Sequence, residues 1–184
     1  MKLLHIGILC AMPEEIGSTT KNLKNVSLKI FGDLKIFSGE FNPNKNLDST
    51  LLVSVAWSGW GKVSAARAAT RLIGCTYQDE PIDLIIFTGV AGAANLNFNQ
   101  WDIVIPDELV QHDMDARPLY KKHVIPALKE ARIKSLKNCV KWSTEVLKES
   151  ILKNQIRPFL NVKNDMMWTS VLLYCFVLLE LLVI

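Results

Sequence analysis

Three short loops hold the residue types in this chain that are best suited to binding a small ligand. They are 11–15, 58–62 and 88–92, and each follows an apolar run. The first carries two neighbouring acids, Glu14 and Glu15, and the other two carry glycines. A glycine lacks Cβ, so its backbone approaches a ligand closely and offers N–H donors to sugar hydroxyls or ring nitrogens. Glycine after a strand is also ordinary turn chemistry, so the pattern alone leaves both interpretations open.

The elements before these loops predict that the loops converge. The runs 4–10, 51–56 and 84–87 are short and rich in Ile, Leu and Val, as expected of parallel strands buried on both faces. In an open α/β sheet, ligands bind outside the carboxyl ends of such strands. The Ala-rich stretch 62–73 predicts a covering helix that ends at Gly74.

The glycines do not match a known phosphate-binding fingerprint. The loop 58–62 has a Gly-x-Gly core, but it lacks the third glycine and a well-placed ribose-binding acid. The sequence contains no Walker-type loop. A dinucleotide-binding function is therefore not indicated.

Four segments in register carry a resemblance to a known family. They are Ile6-Gly7-Ile8 running into Ala11-Met12-Pro13-Glu14-Glu15; Ser58-Gly59-Trp60-Gly61-Lys62-Val63; Phe87-Thr88-Gly89-Val90-Ala91-Gly92; and Asp102 to Glu108 followed by His112-Asp113-Met114-Asp115. In these segments the chain resembles the 5′-methylthioadenosine/S-adenosylhomocysteine nucleosidases, within the wider nucleoside phosphorylase group. The match covers roughly the first two thirds of the chain. It implies a three-layer α/β/α fold around a central mixed, mostly parallel sheet.

The resemblance implies hydrolysis of the N-glycosidic bond between adenine and a 5′-thio-substituted ribose. Such a reaction passes through an oxocarbenium-like sugar and needs a carboxylate that activates water. In the family this is the last acid of the first loop, which falls on Glu15, with Glu14 as its nearest competitor. On the residues alone, both acids are also ordinary first-turn helix residues after Pro13.

The same resemblance implies substrate contacts for four further residues. Trp60 falls beside the sulfur-bearing or sugar end, and Val90, Ala91 and Gly92 fall along the nucleoside. Trp60 stands where the family commonly has a smaller aliphatic residue, and the alternative interpretation is a core aromatic. The loop 117–119 is implied to lie near the substrate and the contact of a homodimer.

We expect neither a metal nor another cofactor. His112, Asp113 and Asp115 include zinc-type ligands, but the family needs no metal. The four cysteines are scattered singly, without Cys-x-x-Cys spacing. The expected role of this polar cluster is structural.

The pattern of the family ends after about residue 155. Residues 131–152 predict one amphipathic helix. Beyond it we find no counterpart of the family's adenine-stacking aromatic, its ribose-binding Met-Glu pair or its base-protonating Asp. We therefore divide the chain into a nucleosidase-like domain, 1–155, and an atypical apolar tail, 156–184.

The run 166–184 admits three interpretations: a frame change or truncation, a buried strand or helix, and a membrane anchor. Its length is close to the ~20 residues that cross a bilayer. Glu180 within it is unfavourable in a membrane, so a membrane interaction is the least favoured of the three.

The composition is that of a globular protein. The 184 residues are 49% hydrophobic and 21% charged, with a net charge of +3. The lysines of 121–163 interleave with apolar positions, so we expect a solvated helix face and not a nucleic-acid site. No export signal is apparent after Met1, and we expect a cytoplasmic protein. Residues 42–48 predict a turn between strands.

Two functions from different classes remain. One is the nucleosidase, with Glu15 activating water. The other is a non-catalytic relative that keeps part of the fold and weak nucleoside binding. Phosphorolysis ranks below both, because the first loop presents acids where a phosphate site needs basic residues or backbone N–H donors.

Overall fold

The computed structural model describes residues 3–42, 50–92, 97–98 and 102–152, together with the backbone of strands at 162–163, 167–168 and 177–180. The chain divides into two compact units. The first contains residues 1–89 and 179–184, and the second contains residues 90–178.

Thirteen strands and two α-helices are described, along with two single 3₁₀ turns, Pro13–Ile16 and Thr20–Asn22. In chain order the strands and helices are β1 (His5–Cys10), β2 (Lys24–Phe31), β3 (Leu34–Phe41), β4 (Leu51–Trp57), α1 (Lys62–Ile73), β5 (Thr76–Tyr77), β6 (Glu80–Pro81), β7 (Leu84–Phe87), β8 (Ile103–Val104), β9 (Glu108–Val110), β10 (Ile133–Lys134), α2 (Lys137–Leu152), β11 (Val162–Lys163), β12 (Met167–Trp168) and β13 (Val177–Glu180).

A six-stranded mixed sheet in the order β13-β7-β1-β4-β3-β2 forms the first unit's core. Strand β1 lies between β4 and β7 and is parallel to both, with Ile8 opposite Val55 and Ile86. The pairs β3–β4 and β2–β3 are antiparallel. The α/β fold class and the three strands expected from the apolar runs are confirmed. Because β1, β4 and β7 run the same way, their carboxyl ends meet at one edge of the sheet.

Helix α1 has the bounds that the sequence predicts. Gly61, with φ 96°, precedes it, and the Gly74 N–H closes it by bonding to the carbonyls of Thr70 and Leu72. Ala68 and Leu72 on its inner face are fully buried. They belong to a cluster with Leu9, Leu34, Ile36, Ala56, Cys75, Ile82 and Ile85. The helix therefore packs against one face of the sheet, and the loop that contains Gly61 leads directly into it.

A chain of hydrogen-bonded polar side chains runs from the amino end of β1 to the middle of β4 and β3. His5 is fully buried; its Nδ1 lies 2.9 Å from the Glu80 carbonyl oxygen and its Nε2 lies 2.8 Å from Ser54 Oγ. Ser54 Oγ lies 2.6 Å from Ser38 Oγ. Burial lowers the pKa of His5, although the Glu80 carbonyl and the nearby Asp83 carboxylate oppose that shift. A carbonyl oxygen only accepts, so neutral His5 donates from Nδ1 and accepts the Ser54 proton at Nε2.

The second unit contains short strands and one long helix. Strand β9 pairs with β10 and β12, and β8 pairs with β11. The predicted start of helix α2 at residue 131 is wrong, because the helix begins at Lys137. Ile133 and Lys134 pair instead with Leu109 and Glu108. The helical spacing of Ile133 with later apolar residues did not reveal this non-local pairing.

The C-terminal run is described only in part. Met167–Trp168 and Val177–Glu180 are strands, and the latter is next to β7 in the six-stranded sheet. The other residues of 166–184 lie outside the described part, as do residues 43–48 of the predicted turn. Within the described part, neither helix is long and apolar enough to span a membrane.

Candidate active site

The Glu15 carboxylate is held by the backbone of its own loop. Pro13 begins the 3₁₀ turn that follows β1, a position where proline's fixed φ is favourable and its lack of an N–H costs nothing. Glu15 is the third residue of that turn, and its Oε2 accepts hydrogen bonds from the N–H groups of Ala11 (2.8 Å) and Met12 (2.9 Å). The bond to the Met12 N–H is the half of a capping box in which the third residue of the turn reaches back to the N-cap backbone, and it gives the side chain a defined position.

The ends of the parallel strands place this loop beside the other two loops. The Ser58 N–H donates to the Cys10 carbonyl at 2.8 Å, and the Gly59 N–H donates to the Ala11 carbonyl at 3.0 Å. On the other side of β1, the Thr88 N–H donates to the Leu9 carbonyl at 2.9 Å. The expected convergence at the carboxyl ends of β1, β4 and β7 is therefore present in the first unit.

Gly89 leaves the space that the Glu15 carboxylate occupies. A Cβ placed at Gly89 would lie 2.9 Å from Glu15 Oε1 and 3.2 Å from its Cδ. Real Cβ atoms essentially never approach a heavy atom within 3.0 Å. This glycine is needed for the close approach of a carboxylate, which is a more specific requirement than turn geometry.

The two neighbouring acids are in different environments. Glu15 is half-buried with an ordered carboxylate, whereas Glu14 is exposed and accepts a hydrogen bond from the Gly17 N–H through its backbone carbonyl. Both acids lie in the first turn after Pro13, so the helix-acid interpretation is also correct as a description of their position. The geometry favours Glu15 as the candidate general base, because only its carboxylate is aimed into the group of loops by hydrogen bonds.

Cys10 is a buried thiol at the base of the same loop. Its Sγ donates to the Met12 carbonyl at 3.1 Å, with the Ala56 carbonyl at 3.7 Å. Burial, with a smaller contribution from the negative charge of Glu15, raises the pKa of Cys10 to about 12, so the thiol stays protonated at neutral pH. Sequence reasoning did not single out Cys10; its only signal was its place as the last residue of β1 before an acidic loop.

Trp60 lies on the surface, so the core-aromatic interpretation is wrong. Its side chain is 71% exposed. Gly59 and Gly61, with φ of 77° and 96°, flank it and adopt backbone conformations that L side chains rarely adopt. The two glycines thus allow the loop after β4 to present an indole outward, next to the loop that carries Glu15.

Val90, Ala91 and Gly92 follow Gly89 directly and belong to the second unit. All three are half-buried. Their expected role along a nucleoside stays a prediction.

The polar cluster after β9 is organised by ion pairs. Asp115 binds Arg117 through two side-chain hydrogen bonds, and this guanidinium holds the pKa of Asp115 well below its usual range. His112 Nδ1 lies 3.7 Å from Asp113 Oδ1. Across the described residues, no three His, Cys, Asp or Glu side chains are grouped as metal ligands. Leu119 in the adjoining loop is 85% exposed.

Comparison with known proteins extends the resemblance to most of the chain. The family model of the phosphorylase superfamily matches residues 5–152. The 5′-methylthioadenosine/S-adenosylhomocysteine nucleosidase of Haemophilus ducreyi is 38% identical over 112 residues, which are 61% of this chain and 44% of that protein. The corresponding protein of Buchnera aphidicola is 33% identical over 147 residues, which are 79% of this chain and 56% of that protein. The chain thus spans about half the length of these curated relatives.

A solved structure gives the same result for the fold. The Neisseria meningitidis 5′-methylthioadenosine/S-adenosylhomocysteine nucleosidase, in complex with methylthio-immucillin-A, matches with a TM-score of 0.72 and 24% identity. The match covers 92% of this chain and 65% of that one. The family model, which matches well over half of the residues, decides the family: this chain belongs to the phosphorylase superfamily, and the relatives it resembles there are 5′-methylthioadenosine/S-adenosylhomocysteine nucleosidases.

Proposed function

We propose that this chain hydrolyses the N-glycosidic bond of 5′-methylthioadenosine or S-adenosylhomocysteine, releasing adenine and the thioribose product. Glu15 is the general base that takes a proton from the attacking water. The bond between C1′ and adenine breaks as the water oxygen bonds to C1′, and the leaving adenine takes up a proton from solvent. The observation that carries the proposal is the Glu15 carboxylate, fixed by two backbone N–H groups beside Gly89 at the carboxyl ends of parallel strands.

A fixed carboxylate is what this chemistry requires. An oxocarbenium-like transition state needs a base within hydrogen-bond reach of the water, on the face of the sugar opposite the leaving group. A side chain already held in place loses little conformational freedom when substrate binds. The two backbone hydrogen bonds to Oε2 hold the Glu15 carboxylate in place before substrate binds.

The same contacts favour water over phosphate as the nucleophile. A phosphate group near the first loop would need backbone N–H donors or basic side chains. The N–H groups of Ala11 and Met12 already donate to Glu15, and the loop itself carries two acids. A phosphate bound there would face the Glu15 carboxylate instead of free hydrogen-bond donors. Hydrolysis is therefore the proposed reaction, although the superfamily is named for phosphorolysis.

Substrate contacts are assigned from the family resemblance. Trp60 is proposed to cover the sulfur-bearing end of the substrate, which its exposed indole on a glycine-flanked loop supports. Val90, Ala91 and Gly92 are proposed to lie along the nucleoside. An exposed indole offers a large apolar face to a thioether without a cost in core packing.

The cellular setting is proposed on the same basis. We place the protein in the cytoplasm as a homodimer in methionine salvage, acting without a metal or other cofactor and without a nucleic-acid partner. Residues 1–155 are proposed as the nucleosidase-like domain, and residues 156–184 as a distinct apolar tail.

Nucleoside binding without hydrolysis is the second candidate. The sequence after β10 contains no Met-Glu dipeptide, which in the family holds the ribose. A chain with Glu15 but without that pair has a base that can activate water, but it lacks the residues that bind the ribose hydroxyls in the family. This observation makes the activity of the isolated chain the first point to test.

The test is release of free adenine from methylthioadenosine by the purified chain, measured by chromatography with and without phosphate. Adenine in phosphate-free buffer supports hydrolysis. Adenine only when phosphate is present, together with a ribose 1-phosphate product, would replace hydrolysis with phosphorolysis. Absence of adenine from a sample with a cooperative melting transition would reject catalysis, and calorimetric binding of the nucleoside by that sample would support the second candidate.

A further inference from the structure

The carbonyl and the N–H of Met12 are both engaged around Glu15. The Met12 N–H donates to Glu15 Oε2 at 2.9 Å. The Met12 carbonyl accepts from the Glu15 N–H at 3.2 Å and from Cys10 Sγ at 3.1 Å. Because a carbonyl oxygen has two lone pairs, it accepts both bonds at once. Met12 is therefore the point where a side chain from β1 can control the orientation of the catalytic loop.

Cys10 is rigidly placed for this task. Its side chain is fully buried, packed with Ile16, Leu23, Val53 and Val55. Its backbone carbonyl accepts the Ser58 N–H at 2.8 Å, which ties the same residue to the end of β4. The thiol of Cys10, the last residue of β1, thus donates a hydrogen bond to the carbonyl of Met12 in the loop.

We propose that Cys10 is a positioning residue for Glu15: its thiol holds the Met12 carbonyl and so keeps the Ala11 and Met12 N–H groups aimed at the Glu15 carboxylate. The kinetic consequence of this inference rests on the proposed function, whereas its structural consequence does not. Cys10 does not touch the reacting atoms and acts only through the loop.

The chemistry of a thiol suits this place. A thiolate beside Glu15 would add a second negative charge next to the general base. Burial keeps the group protonated, with a pKa of about 12, so it is a neutral donor throughout the physiological range. It also fills apolar space, because a free cysteine packs as a small hydrophobic side chain.

Cys75 provides a matched control within the same unit. It is also a free thiol, 3% exposed, and it packs in the cluster against α1. Its sulfur lies 3.8 Å from the Thr76 carbonyl and 3.9 Å from Ser38 Oγ, and neither group belongs to the loop of Glu15. Removing either sulfur leaves a similar cavity, but only Cys10 has a bond to the loop.

The experiment compares amide hydrogen exchange in the full chain and in its Cys10→Ala, Cys10→Ser and Cys75→Ala variants. We expect Cys10→Ala to raise exchange at the Ala11 and Met12 amides about tenfold, as loss of one hydrogen bond implies. Cys10→Ser keeps a donor and should retain protection at both amides, and Cys75→Ala should leave them unchanged. If Cys10→Ala does not fold, Cys10→Val keeps the volume without the donor and should show the same local rise.

Three results would overturn the proposal. They are unchanged exchange at the two amides in the folded Ala or Val variant, an equal rise across all core strands, or a serine variant that matches the alanine variant.

A kinetic measurement separates this inference from the proposed function. If the chain releases adenine, Cys10→Ala should lower kcat with little change in KM, and Cys10→Ser should recover most of the loss. A fall in kcat together with a rise in KM, shared with Cys75→Ala, would argue for general loosening and against positioning. If the unmodified chain releases no adenine, the proposed function fails, and the exchange pattern still decides whether Cys10 orders the loop.

Discussion

One ionisable side chain lies at the amino end of β1 and another lies in the loop that follows its carboxyl end, and the two are held in opposite ways. At the amino end, His5 is fully buried and bonded to a serine hydroxyl and a carbonyl. At the carboxyl end, Glu15 is half-buried and bonded to backbone N–H groups of its own loop. The amino end of β1 thus carries a group that burial keeps neutral and structural, and the loop after its carboxyl end carries a carboxylate that remains close enough to solvent to meet water. Partial exposure together with backbone anchoring distinguishes the candidate catalytic group from the structural one.

The largest effect should come from removing the candidate base, Glu15, in the loop after the carboxyl end of β1. Glu15→Gln keeps the shape of the side chain but takes away its ability to accept a proton, so adenine release should fall about 10²–10⁴-fold. The melting temperature should change little. Glu14→Gln on the exposed neighbour is the matched control and should retain activity. If the two variants lose activity equally, the distinction between these acids fails.

Crowding the carboxylate should have the next largest effect. In Gly89→Ala the new Cβ would meet Glu15 Oε1 at 2.9 Å, so the carboxylate must shift. A displaced base should lower kcat about 10²-fold. Gly74→Ala, whose Cβ would have its nearest neighbour at an ordinary 3.7 Å, is the control. Full activity in Gly89→Ala would show that the position of Glu15 is not critical.

Breaking the chain of side chains at the amino end should affect stability and not chemistry. Ser54→Ala removes the donor to His5 Nε2 and leaves a buried acceptor unpaired, which should lower the free energy of unfolding by about 1–3 kcal/mol. Urea titration measures this loss, and the exposed Ser27→Ala on β2 should be nearly neutral. A change in kcat per folded molecule would contradict the separation of the two ends.

The smallest effect should be a pH dependence of stability that traces to His5. Its pKa is lowered in the folded state, so the unfolded chain binds the proton more readily. The free energy of unfolding should therefore fall as pH drops below the unfolded value of about 6.5, until the folded pKa is passed. Urea titrations at several pH values should show this slope in the unmodified chain, and His5→Asn should flatten it. An unchanged slope in that variant would assign it to other groups.

The elements around the carboxyl ends were accessible from the sequence because their signals are local. Helix α1 is bracketed by Gly61 and Gly74, and apolar runs mark β1, β4 and β7. The three loops follow directly from those runs. The family resemblance already selected Glu15 over Glu14, and the coordinates add that the Glu15 carboxylate is the one held by backbone N–H groups.

Features that depend on distant partners were not accessible. His5 and Ser54 are 49 positions apart, and neither has a motif that points to the other. The true start of α2 depends on β9, which lies more than twenty residues earlier. The surface position of Trp60 depends on two glycines with positive φ, which tryptophan's usual preference for burial does not reveal.

The contact between Gly89 and Glu15 links the evolutionary freedom of two positions. While the acid is kept, position 89 cannot acquire even a methyl group without moving it, because the nearest carboxylate oxygen would lie 2.9 Å away. In homologues that have lost Glu15, position 89 is free to carry a side chain. Substitutions at positions 15 and 89 should therefore occur together. Selection for the Glu15 carboxylate would thus also retain glycine at position 89, seventy-four positions away.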